Sequence, residues 1–253
     1  MTRSCILIST VLLLFSCTGE SGGSSSTPVK TVKPFIVEIY PHDPSAFTQG
    51  LLWREGKLYE STGLHGQSSI RILDTVGTVL KSREVPGVFA EGCAFLDDVL
   101  YQLTWREQIC ILYDPSLRVT GNLPYTGEGW GLTSDSSHLI MSNGSDTLYF
   151  RNPDMSIVRK VAVKKDGVPV RDLNELEYVA GKVLANVWYS DFIFEISPSD
   201  GQVTKIIDCR ELVAIENPAS EESVLNGIAF VKSSGLFYIT GKNWKKLFLV
   251  KIP

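Results

Sequence analysis

The sequence predicts an all-β fold: a five-bladed β-propeller of four-stranded antiparallel blades, closed by an N-terminal strand that completes the last blade. The first observation behind this is a repeated string. "FTQGLLW" (47–53), "FAEGCAF" (89–95), "EGWGLTS" (128–134), "DLNELEY" (172–178) and "VLNGIAF" (224–230) share a polar or aromatic third position, mostly Gly after it, and then an apolar run. The second is their spacing: the starts lie 42, 39, 44 and 52 residues apart, the period of a four-stranded blade. The third is an imbalance at the ends. Only 27 residues run from Asn226 to Pro253, enough for three strands, while "PFIVEIY" (34–40) precedes the first repeat without a blade of its own. A ring closed by that strand leaves no open sheet edge. A β-sandwich would not explain five repeats with a complementary strand at the opposite end.

Each repeat opens a unit of similar build. A second strand follows as "KLYES", "VLYQLTW", "HLIMSNG", "KVLANVW" and "LFYITGK", and a third as "SIRILD", "QICILYD", "TLYFRNP", "FIFEISP" and "KLFLVKI". An outer strand then reads "TVGTVLKSREV", "PSLRVTGNLPY", "DMSIVRKVAV" and "PSDGQVTKIIDC" in the first four units. Short β-branched and aromatic runs divided by Gly, Asp, Pro and Asn are the pattern of antiparallel hairpins. The segment "CRELVAIENPASEES" (209–223) accounts for the longest interval and reads as a lid, an exposed loop or a short helix.

The N-terminus reads as a targeting segment. Arg3 precedes the apolar run "CILISTVLLLFSC", which is too short for a stable span. Leu14-Phe15-Ser16-Cys17 resembles a bacterial lipobox, so residues 1–16 are expected to be a lipoprotein signal peptide and Cys17 the lipidated residue. Residues 17–33, rich in Gly and Ser, read as a flexible tether, and 34–253 as the propeller domain. The expected location is extracytoplasmic, on a membrane anchor.

With 253 residues and 43% hydrophobic composition, the chain can bury a full-sized core. A formal net charge of −4 gives no support for a nucleic-acid partner, and the unpatterned acidic composition makes a monomer the default. Cys93, Cys110 and Cys209 are an odd set; Cys93 and Cys110 read either as small buried thiols or as a disulfide. His42, His65 and His138 lack metal-ligand spacing, and no metal or cofactor is expected.

In a propeller the first strand of each blade lines the central channel. The third positions Gln49, Glu91, Trp130, Asn174 and Asn226 would therefore converge on one axis, and the second strands would end in Glu60, Trp105, Asn143, Trp188 and Lys242 near the same mouth. Such a funnel, with aromatic walls and few polar groups, has the make-up of a ligand site. Indoles would desolvate Glu91 and push its pKa up while Lys242 pulled it down. A carboxyl that holds a proton part of the time is what general acid–base chemistry requires.

These strings resemble a known family, the plant- and bacterial-type glutaminyl cyclases (glutamine cyclotransferases). The motifs are "FTQGL", "YESTGLHGQSSIR", "FAEGCAFL", "LYQLTW", "GWGLTSD", "LNELEYVAGKVLANVW", "VLNGIAF" and "TGKNWKKLFLVKI", in order from Phe47 to the C-terminus. The resemblance implies a five-bladed propeller that converts N-terminal glutamine of peptides and proteins to pyroglutamate, releasing ammonia without a catalytic metal. It implies Glu91 as the catalytic acid, Asn174 and Lys242 as the polarising amide and ammonium, and Trp105, Trp130 and Trp188 as pocket indoles. Gln49, with Phe47 and Phe89 beside it, falls on the substrate side. The chain departs from the expected pattern at Cys93 and at Tyr189. Asn226 is read as tying off backbone groups, and Glu60 as holding neighbouring loops by hydrogen bonds. Two other classes remain: a divalent-metal propeller hydrolase using Glu91, Asn174 and Asn226, which calcium's preference for oxygen ligands would suit, and a non-catalytic binding propeller.

Overall fold

A computed structural model describes Met1 and residues 28–253. The proposed signal peptide, lipidated Cys17 and most of the tether lie outside the described residues. The described chain opens with two strands that do not pair with each other, β1 (Lys30–Val32) and β2 (Phe35–Pro41). Blade one is β3 (Thr48–Arg54), β4 (Lys57–Thr62), β5 (Ser69–Leu73) and β6 (Val79–Glu84). Blade two is β7 (Ala90–Leu96), β8 (Val99–Thr104), β9 (Ile109–Tyr113) and β10 (Val119–Pro124). Blade three is β11 (Leu132–Ser134), β12 (Leu139–Met141), β13 (Thr147–Arg151) and β14 (Ile157–Ala162), followed by a small hairpin, β15 (Lys164–Lys165) and β16 (Val168–Pro169). Blade four is β17 (Leu173–Val179), β18 (Lys182–Val187), β19 (Phe192–Ile196) and β20 (Val203–Asp208). The helix α1 (Arg210–Glu216) leads into blade five, β21 (Leu225–Val231), β22 (Leu236–Gly241) and β23 (Lys246–Lys251).

The missing fourth strand of blade five is β2. It pairs antiparallel with β23 from Phe35 opposite Lys251 to Pro41 opposite Lys246. The fold is therefore the five-bladed propeller that the repeats predict, closed by the strand at 34–40. One feature differs. Residues 30–32, inside the stretch read as tether, form β1 and add a fifth strand to blade four, parallel to β20. Val32 provides the reason: it is buried in the seam between blades four and five, so ordering these residues removes apolar surface from water. The N-terminal segment thus fastens two adjacent blades.

The apolar core is divided into five seams, one at each blade junction. Inner strands are buried along nearly their whole length, while outer strands such as β6 are exposed throughout. Cys93 lies in the seam between blades one and two and Cys110 in the seam between blades two and three. They face opposite sides of one sheet, and both are free buried thiols, as is Cys209.

The Gly at the fourth position of most repeats has a steric cause. A Cβ on Gly131 would stand 1.9 Å from the carbonyl oxygen of Asn174, and one on Gly92 would stand 2.5 Å from the backbone nitrogen of Leu132. At Gly92 and Gly131 adjacent inner strands approach so closely near the axis that only a bare backbone fits. Gly131→Ala is expected to push blade three away from blade four at a cost of about 3 kcal/mol, the upper end for overpacking. Denaturant unfolding checks this, and a loss under 1 kcal/mol would contradict it.

In the fourth repeat this position is Glu175. Its buried carboxyl fills the axis, accepting from the backbone nitrogen of Leu51 at 3.2 Å and of Ile228 at 3.0 Å. It ties blades one, four and five together across the channel.

Candidate active site

The second strands locate one wall of the funnel. The fifth positions of the repeats, Leu51, Cys93, Leu132, Leu176 and Ile228, stand opposite Glu60, Gln102, Met141, Ala185 and Ile239. Three residues further on come Gly63, Trp105, Gly144, Trp188 and Lys242. Trp105, Trp188 and Lys242 line the pocket as expected, but Glu60 and Asn143 do not. Glu60 falls three residues short of the rim and Asn143 one short. The glycines at the two true positions make room for rings: an added Cβ would stand 2.5 Å from the Phe89 ring at Gly63 and 2.6 Å from the Trp130 ring at Gly144.

Glu60 is wholly buried away from the pocket. It accepts from the Thr48 hydroxyl at 2.7 Å and faces His42 Nε2 at 2.9 Å, and the other nitrogen of His42 lies 2.9 Å from the Trp244 carbonyl oxygen. Burial pushes the Glu60 carboxyl up, but His42, Arg71 and Thr48 outweigh this and hold it below its ordinary range. The residue joins the end of the closing strand to blades one and five. Asn143 supports its own loop, accepting from the Ser145 hydroxyl at 2.6 Å. Asn226 is also structural: its amide nitrogen donates to the Thr48 carbonyl at 2.9 Å and lies 3.3 Å from Gln49 Oε1, so it steadies Gln49 from behind.

The pocket is a cavity of about 210 Å³ at one mouth of the channel. Gln49, Glu91 and Asn174 reach it from the inner strands of blades one, two and four, and Trp130 from just before β11. Phe47 and Phe89 flank the two strand starts and meet edge to face, with centroids 6.2 Å apart. Trp130 and Trp188 meet at 83° with centroids 5.5 Å apart. Sequence reasoning missed Glu128, which lies outside the cavity yet orients two of its walls. It accepts from the indole nitrogens of Trp105 at 2.8 Å and Trp130 at 3.3 Å, and from Arg106 at 3.0 Å. Leu64 and Glu222, also missed, complete the lining. Leu64 gives no signal in the sequence beyond its apolar character, and Glu222 lies in the segment that has no repeat counterpart.

Glu91 is 4% exposed, and its carboxyl makes no hydrogen bond among the described residues. Burial pushes its pKa well above the usual carboxylate range; Lys242 pulls it back, while Glu128 and Glu107 push it further up. Lys242, also 4% exposed, is pushed down by burial and drawn back up by Glu91 and Glu222. Its ammonium sits 4.8 Å from the Phe47 ring centre and 5.7 Å from that of Trp188, close enough for cation–π attraction. Two further buried polar atoms of the pocket, Asn174 Oδ1 and Trp188 Nε1, have no partner among the described residues. Buried polar groups are costly to leave unpaired, so these are groups that a bound ligand would satisfy.

The donor set suits a proton more than a metal. Among the described residues no three His, Cys, Asp or Glu side chains gather to hold an ion, and the ammonium beside Glu91 would repel a cation.

A propeller whose funnel joins a buried carboxyl, an ammonium and unpaired amide and indole groups defines a class: a propeller with a small, aromatic-walled ligand pocket at one mouth of its channel. The chain belongs to the glutamine cyclotransferase family, whose sequence model matches residues 8–252. The glutaminyl-peptide cyclotransferase of Arabidopsis thaliana is 38% identical over 249 residues, covering 94% of this chain and 77% of that one. The crystal structure of Myxococcus xanthus glutaminyl cyclase superposes with a TM-score of 0.84 at 37% identity, over 89% of this chain and 98% of that one.

Proposed function

We propose that this chain is a glutaminyl-peptide cyclotransferase in which Glu91 carries the proton that ring closure must move. The observation that supports this best is the unbonded carboxyl of Glu91, buried beside Lys242 among indoles. The reaction needs no covalent enzyme group. The substrate's α-amine attacks its own γ-amide carbon, a C–N bond forms to close a five-membered lactam, and the C–N bond to the amide nitrogen breaks. In the proposed sequence the Glu91 carboxylate takes a proton from the attacking amine and delivers it to the departing nitrogen, which leaves as ammonia. Lys242 and the amide nitrogen of Asn174 donate to the oxygen that gains negative charge. Trp188 Nε1 and Asn174 Oδ1 pair with polar groups of the glutaminyl residue, while Phe47, Phe89, Trp105 and Trp130 hold its side chain curled and exclude water. Gln49 fixes the edge of the same chamber. Holding a flexible side chain in a near-attack shape supplies the orientation part of the rate.

Ring size gives a sharp control. The same closure on asparagine would make a strained four-membered lactam. The enzyme is expected to release ammonia from Gln-Ala and a longer Gln-peptide, with the product lighter by one ammonia, and to leave Asn-Ala unchanged. Activity is expected to persist in EDTA. Ammonia from neither Gln substrate, or complete loss in EDTA restored by calcium, would overturn the reading.

We also read residues 1–16 as a lipoprotein signal peptide followed by lipidated Cys17, which puts the enzyme outside the cytoplasm among exported polypeptides that begin with glutamine. Its support is the charged start, apolar run and Leu-Phe-Ser-Cys string. Fractionation of cells expressing the full chain tests it: Cys17→Ser is expected to move the protein out of the membrane fraction, and unchanged membrane association would refute it.

A further inference from the structure

One acid at the pocket mouth has no part in the proposed chemistry. Glu222 lines the cavity together with Lys242 and Trp188. It comes from the segment between α1 and β21, and hydrogen bonds at both ends of that segment pin it to blade five. Glu216 accepts from the backbone nitrogen of Lys245 at 2.8 Å, and the Ser223 carbonyl accepts from the Trp244 indole at 2.8 Å. The Val224 carbonyl accepts from the backbone nitrogen of Lys242 at 2.9 Å. Glu222 is therefore held at the rim, two residues from the backbone pairing that places Lys242.

A side-chain bond orients it further. The Tyr189 hydroxyl donates to Glu222 Oε1 at 2.5 Å. Tyr189 adopts a left-handed backbone with φ 59°, uncommon for a bulky residue. Its ring stacks on Trp188 at 4.6 Å and 23°, extending the aromatic wall outward until it ends on Glu222. The second carboxyl oxygen of Glu222 makes no hydrogen bond, and the residue enters no ion pair, among the described residues. Glu221 beside it is likewise exposed and unpaired there. Lys242, which shares the cavity lining and whose pKa is drawn up by Glu222, is 4% exposed and makes no ion pair with it among the described residues.

A glutaminyl side chain that reaches Glu91 leaves its peptide carbonyl directed outward, so the next residue must cross this rim. We propose that Glu222, oriented by Tyr189, is a specificity-determining residue that favours peptides with Lys or Arg directly after the N-terminal glutamine and disfavours Asp or Glu there. The inference rests on the cyclotransferase reading above and names a substrate class within it. An exposed ion pair contributes up to about fivefold, and replacing the cation with an anion adds repulsion of similar size. Gln-Lys over Gln-Glu should therefore reach roughly tenfold in kcat/KM at low salt.

The test compares kcat/KM for three otherwise identical peptides with a free N-terminus and an amidated C-terminus, beginning Gln-Lys, Gln-Ala and Gln-Glu, on the wild-type enzyme and on Glu222→Gln, Glu222→Lys and Tyr189→Phe. The expected wild-type order is Lys, Ala, Glu, carried by KM and compressed in 1 M salt, where charges beyond about 3 Å are screened. Glu222→Gln should flatten the order, Glu222→Lys should reverse it, and Tyr189→Phe should weaken it. Cyclisation of all three peptides at equal efficiency by the wild type, or the same order in Glu222→Lys, would overturn the inference and leave the cyclotransferase reading standing. No cyclisation of any peptide would overturn both.

Discussion

Glu91→Gln is expected to lower kcat for a Gln-peptide by about 10²–10⁴, the usual worth of a positioned proton-transfer group, while leaving the fold in place. The substitution keeps the size and shape of the side chain, so the indole chamber stays packed. It removes the only step in the proposed sequence that moves a proton from the attacking to the departing nitrogen. The residual rate would come from curling the substrate and from the donors on its oxygen. Because the carboxyl makes no hydrogen bond among the described residues, no structural bond is lost, and circular dichroism and melting temperature should match the wild type closely. A folded Glu91→Gln enzyme with wild-type kcat would remove Glu91 from the chemistry.

Lys242→Met has the second large effect, and it has two parts. Methionine keeps an apolar stem of similar length against Phe47 and Trp188 but removes a donor to the developing oxyanion, at an expected cost of about 10²–10³ in kcat. The second part is a shift in pH dependence. Burial raises the Glu91 pKa and the ammonium of Lys242 opposes that rise. The proposed base is the carboxylate, so kcat falls as pH drops through the Glu91 pKa. Removing the ammonium removes the opposing influence, and the acid limb of kcat should move to higher pH. Measuring kcat with saturating Gln-Ala over a range of pH separates the two parts. A slower Lys242→Met enzyme with an unmoved acid limb would mean that the ammonium acts on the substrate without tuning Glu91.

Much of the fold and site was legible because a propeller repeats its physics. The third position of each repeat sits on an inner strand or, for Trp130, just before one, and the glycine after it marks where two strands nearly touch, as Gly92 and Gly131 do. The missing outer strand at one end and the spare strand at the other gave the closure. Legibility failed where a residue lacked a counterpart in other blades. Glu222 lies on an insertion found once, and Glu128 acts from outside the cavity through hydrogen bonds that no spacing announces. The strand β1 depends on Val32 reaching a seam built by residues far along the chain. Glu60 and Asn143 were misplaced for another reason. The rim position of blades one and three is a glycine, Gly63 and Gly144, so a search for a polar or aromatic side chain near the end of the second strand settles on Glu60 and Asn143 instead. The registered pairs show that Gly63 and Gly144 hold the rim positions, residues whose role is to leave space.

The central claim is that ionisation of one buried acid governs ring closure, and the pH dependence of kcat in paired wild-type and Glu91→Gln enzymes tests it most directly. The account predicts a wild-type acid limb with its midpoint above the ordinary carboxylate range, and no such limb in the slow Glu91→Gln enzyme. The same limb, at the same pH, in both proteins would contradict it.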